Sequence, residues 1–88
     1  MTTQFHALRL SNEINEHVLY FSAKHRVDLN TIERWTDTMI IVGEQKCGLT
    51  IHIRQHGAVD DTPAGVYVTC FNEAGNTVEH VNVVGATL

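Results

Sequence analysis

Four β-rich runs fill the second half of this chain: Met39–Val42, Leu49–Arg54, Val66–Phe71 and Thr77–Val84. The segments between them hold Gly43, Gly48, Gly57, Pro63, Gly65 and Gly75. β-Branched and aromatic residues suit a pleated strand, and glycine and proline interrupt one. Intervals this short favour an antiparallel meander, because parallel strands need long crossovers. The sharpest local signal is Asn72-Glu73-Ala74-Gly75. Asparagine first and glycine last suit a type I turn closing a three-residue hairpin loop with a glycine bulge.

That turn sets a register. With Asn72 opposite Asn76, Cys70 faces Val78, Val68 faces His80 and Val66 faces Asn82, and directly paired residues share a sheet face. One face then carries Val66, Val68, Cys70, Val78 and Val84, with His80 as its polar exception. The other carries Tyr67, Thr69, Phe71, Thr77, Glu79, Val81 and Val83. The valine face is the expected core. Leu49, Ile51 and Ile53 join it, which sends His52 and Arg54 to the outer face with Tyr67 and Thr69.

The first half reads as helix near residues 12–25. Ser11 and Asn12 are candidate caps, Glu13 and Glu16 suit the first turn, and Ile14, Val18 and Phe21 form one stripe. Lys24, His25 and Arg26 fall at the C-terminal end, where cations suit the dipole. The run Val18–Phe21 fits a strand about as well on composition. Asn30 followed by Glu33 has the form of a capping box, so a short second helix is expected near 31–37, with Ile32, Trp35 and Met39 on one face. Phe5 to Leu10 offers a further strand, with poor alternation. The expected fold is α+β, a two-layer sandwich with one or two N-terminal helices on a four-stranded antiparallel meander sheet. With 88 residues and 43% apolar content, residues 1–88 form one domain.

Charge narrows the function classes. The net charge is −4, and of the six Lys and Arg only Lys24 and Arg26, flanking His25, are clustered. Nucleic-acid binding is disfavoured, since it needs a concentrated basic surface. Imitation of DNA is disfavoured too, because the ten acidic residues are dispersed. No apolar run approaches the length of a membrane span. Met1-Thr2-Thr3-Gln4 lacks the basic and apolar segments of a signal peptide, so the expected location is cytoplasmic. Cys47 and Cys70 would be reduced there and read as small packing or turn residues rather than reactive ones.

Six histidines, His6, His17, His25, His52, His56 and His80, invite a metal reading. Their spacing matches no zinc signature, and the register puts His52 and His80 on opposite faces, so neither a metal nor a cofactor is expected. The segment from His56 to Gly65 places a histidine beside Asp60 and Asp61, an acid–base pair in one reading and ordinary turn chemistry in the other. No nucleophile elbow, phosphate loop or cysteine–histidine signature occurs, and no catalytic residue is assigned. His80 reads as a core histidine satisfied by Asn82 or a carbonyl, and Trp35 as an anchor of the core.

The outer face remains, with His52, Arg54, Tyr67, Thr69, Phe71 and Glu79 as the candidate binding residues; in the competing reading the short helix or the N-terminal segment packs over it. Aromatic rings and an arginine among short polar groups suit a protein partner. The expectation is a small non-enzymatic protein-binding module, an inhibitor or accessory factor, acting through this face or a sheet edge and able to homodimerise. The alternative is a small enzyme or ligand-binding domain with a dimer-interface pocket using His56, Asp60 and Asp61.

Overall fold

The computed structural model describes residues 10–43 and 48–88. Helix α1 spans Asn12–His25, followed by β1 (Ile32–Trp35), β2 (Met39–Val42), β3 (Thr50–His56), β4 (Gly65–Phe71) and β5 (Thr77–Val84). The strands form one antiparallel sheet in the order β1-β2-β3-β4-β5. One helix packed on a five-stranded antiparallel sheet makes the fold α+β.

The helix keeps its expected limits. The Ile14 N–H donates to Ser11 Oγ (3.3 Å), which caps one orphan amide of the first turn. At the other end Arg26 takes a left-handed conformation (φ 58°), and the Val27 N–H donates to the Ser22 carbonyl. Ile14, Val18 and Phe21 are buried, so the apolar stripe decides in favour of helix over strand.

The second helix is replaced by β1. Asn30 does not cap it. Instead the Asp28 carboxylate accepts from the Asn30 N–H (2.9 Å) and from Thr31 Oγ1 (3.2 Å), turning the chain into a strand. Ile32 and Trp35 then pair with Val42 and Ile40, so the sheet has five strands rather than four. Trp35 lies on this edge strand, beyond the helix, which rests mainly on β3, β4 and β5. It is 58% exposed and does not anchor the core. The segment Phe5 to Leu10 and the residue Cys47 lie outside the described residues, apart from Leu10, which packs against the core.

The register of β5 departs from the expected one. The turn itself is as read: the Gly75 N–H donates to the Asn72 carbonyl, and the Asn72 N–H to the Asn76 carbonyl. Phe71 pairs with Thr77, but Cys70 pairs with Glu79, Thr69 with His80, Val68 with Val81 and Val66 with Val83. The extra residue, Val78, is a bulge that inverts everything beyond it. Without it His80 and Asn82 would lie under the helix. With it Val81 and Val83 turn inward, and Val78 and Val84 are exposed. Burial of those valines, each worth roughly 1.5–3 kcal/mol when complete, outweighs an unbroken ladder.

The core is Ile14, Val18, Phe21 and Val27 against Ile40, Val42, Ile51, Ile53, Val66, Val68, Cys70 and Val83. Burial pushes the Cys70 thiol up, and the nearby Glu79 carboxylate adds to this, so it behaves as a packing residue. Gly65 sits so close to the β5 backbone that a Cβ there would collide with the Val83 carbonyl. Gly65→Ala should therefore lower stability by about 1–3 kcal/mol in urea unfolding, and an unchanged midpoint would show that β4 and β5 can part without cost.

Glu79 leaves the outer face altogether. Its Oε1 lies 2.8 Å from His25 Nε2 and 3.0 Å from Lys24 Nζ, tying the C-terminal end of α1 to β5. The His25 hydrogen bond, then that of Lys24, holds its carboxyl below the usual range. A carboxyl depressed in the folded state adds stability above its unfolded value and loses it as the pH falls through the folded one. Lys24, raised chiefly by its bond to Glu79 with a lesser share from Tyr20, loses its contribution only at the alkaline end. Stability should thus decline through the acid range below the ordinary glutamate value more steeply in the native chain than in Glu79→Gln. Denaturant titrations at stepped pH measure this, and parallel curves would mean the latch contributes nothing.

Candidate functional site

Because α1 covers one side of the sheet, every second residue of β2 to β5 stands on a side that no described element covers. Cross-strand pairing arranges those residues in rows. One row runs Ile41, His52, Thr69, His80, and the next Met39, Arg54, Tyr67, Asn82. Phe71 follows beside Thr50 and Thr77, and His56 lies opposite Gly65, which is paired to Val84.

The His56 ring leans across β4 and sets Nε2 3.0 Å from Asn82 Oδ1, while Nδ1 donates to the Gly57 carbonyl (3.1 Å). The same lean stacks His56 on Tyr67, centroids 3.9 Å apart and planes 13° off parallel. Tyr67 also touches His80 (5.1 Å), and the Arg54 guanidinium lies 5.9 Å from its centroid. His52 packs on Phe71 at 4.5 Å. The result is a field of rings in two sets, His56, Tyr67 and His80 in one and His52 and Phe71 in the other, held by the sheet backbone.

Met39, His52, Arg54, Tyr67, Thr69 and Phe71 line a shallow hollow of about 230 Å³ in this field. Five of the six expected binding residues, His52, Arg54, Tyr67, Thr69 and Phe71, thus meet in one place, and Glu79 is the one the structure puts elsewhere. Burial lowers the pKa of His52, with Glu33 opposing weakly, so near neutral pH its imidazole is uncharged. The fixed positive charge in the hollow is Arg54. Among the described residues it makes no ion pair.

The bulge also overturns the expected place of His80. It is exposed, on the same face as His52, and its Nδ1 lies 2.7 Å from Thr69 Oγ1 rather than against Asn82. A hydroxyl beside an imidazole resembles a nucleophile and its base, but Thr69 is 8% exposed and no described group orients the far nitrogen of His80. Sequence reasoning missed His80, His56 and Asn82 as members of this face. The signal available was the amphipathic cost of burying His80 and Asn82 together, which a bulge relieves.

The alternative site is only partly assembled. His56 and Asp60 border a second hollow of about 300 Å³ with Arg54, Val59, Thr62 and Tyr67, but Asp61 does not. Val59 and Thr62 exchange both backbone hydrogen bonds, with Asp60 at φ 49° between them, so the two aspartates form the tip of a tight turn. His56 bonds to Gly57 and Asn82 and to neither aspartate. Among the described residues no group of three or more His, Cys, Asp or Glu is placed to hold a metal ion, and no helix is long and apolar enough to cross a membrane. No family model matches the chain, and neither a curated protein nor a solved structure matches it.

Proposed function

We propose that this chain is a non-enzymatic protein-binding module, an inhibitor or accessory factor, whose two-layer build leaves the helix-free sheet face to dock a partner protein. The observation that carries the reading is the hollow around Arg54, Tyr67 and Phe71, open to solvent and without a described covering element. Arginine and aromatic side chains are the residues most enriched at binding hot spots. Rings held on paired strands lose little entropy on binding, and an arginine stacked near a ring is preorganised for a carboxylate. The partner surface that fits is an apolar or aromatic knob beside an acidic side chain.

The test starts with affinity capture from the native host, identification of the bound protein and measurement of its Kd. Arg54→Ala, Tyr67→Ala and Phe71→Ala are then compared with the native chain, with circular dichroism and urea melts confirming the fold. Loss of binding in these variants supports the face; an unchanged Kd in all three rejects it.

A further inference from the structure

The open sheet has two edges, and they are not equivalent. β1 is four residues long and carries a bulge between Ile32 and Arg34, a common protection of an exposed edge. β5 has its own bulge, at Val78 near its start, but beyond it Glu79 to Val84 run as an unbroken edge; the eight-residue strand holds no proline or lysine and has Glu79 as its only formally charged residue. That carboxylate is drawn under the sheet by Lys24 and His25, so it does not guard the edge. The chain beyond β5 turns away as well: the Leu88 N–H donates to Gln55 Oε1 on β3. Among the described residues nothing pairs with the outer edge of β5.

We propose that β5 pairs antiparallel with β5 of a second copy of this chain, about a two-fold axis at Val81. Facing residues must lie on the same side of the joined sheet, which restricts the register to steps of two. The register centred on Val81 sets Val78 of each copy opposite Val84 of the other, covering two valines that are 44% and 58% exposed in the single chain. It also sets His80 against Asn82 and Glu79 against Val83, so no like charges meet. Centring on His80 would place Val78 against Asn82 and face the two His80 rings; centring on Glu79 would oppose two carboxylates. The interface is isologous and closes after two copies, so it joins two sheets without forming a fibre. The hollow around Arg54, Tyr67 and Phe71 remains open on one side of the joined sheet.

Analytical ultracentrifugation of the purified chain, with no partner present, reads the association directly. The expected result is a concentration-dependent dimer, weakened at least about tenfold in Val78→Lys/Val84→Lys, whose new charges meet across the two-fold. Both positions are exposed, and circular dichroism checks that the variant folds. The register is read by mixing a Val78→Cys chain with a Val84→Cys chain, both in a Cys47→Ser background, under oxidised glutathione. Directly opposed Cβ atoms are close enough for a disulfide, so this mixture should cross-link and His80→Cys alone should not. A chain still monomeric at roughly 1 mM, a dimer unaffected by the double lysine variant, or a preferred His80→Cys cross-link would each overturn the proposal.

Discussion

Phe21→Ala should leave the chain largely unfolded at physiological temperature. Phe21 is 2% exposed, is among the largest buried side chains, and belongs to the helix stripe that joins the core with the sheet residues. Truncating a buried phenylalanine costs about 3–5 kcal/mol, from lost transfer free energy and the cavity left behind. A domain of this size has on the order of 5 kcal/mol of stability in total, so most of it disappears. Partial collapse of the site would reduce the loss, yet the neighbours that could move, Ile14 and Val18 on the same stripe, are themselves fully buried. Urea unfolding followed by circular dichroism measures the change. Leu19→Ala, at a residue 44% exposed on the same helix, should cost far less and serves as the control. A loss below about 1 kcal/mol in Phe21→Ala would mean that the helix is not held by this stripe.

On the helix-free face, Arg54→Ala and Tyr67→Ala should each weaken partner binding by about thirtyfold or more, the scale of a 2 kcal/mol hot spot. The two variants should differ in kinetics. Arg54 is exposed and carries the fixed positive charge of the hollow, so its loss should slow association and flatten the salt dependence. Tyr67 is half-buried among His56, His80 and Arg54, so its loss should mainly speed dissociation. Val59→Ala, 64% exposed in the loop after β3, lines the neighbouring hollow instead and should change binding little. Surface plasmon resonance at two ionic strengths separates these effects. Equal loss in Val59→Ala would move the docking site to the loop around Asp60 and Thr62.

Several features were legible from the residues alone because their physics is local. Ser11, the Ile14, Val18 and Phe21 stripe and the cationic end delimit α1 within a few neighbouring residues. Asn72 to Gly75 encode their turn in the same way, and the alternation of Ile51 and Ile53 with His52 and Arg54 assigns faces to β3. That alternation, with Tyr67, Thr69 and Phe71, suffices to assemble most of the helix-free face around the hollow.

Tertiary burial decided the rest. Asn30 and Glu33 have the form of a capping box, but pairing with β2 and the Asp28 carboxylate draw that segment into β1. The turn at Asn72 is a property of four residues, whereas the bulge at Val78 exists because α1 demands Val81 and Val83 on its side of the sheet. One inserted residue reverses every side chain after it. The sequence alone determined the helix α1, the strands of the second half and the β3 and β4 residues of the helix-free face. Only the packed helix determined which side of β5 met water, and with it where Glu79 and His80 would act.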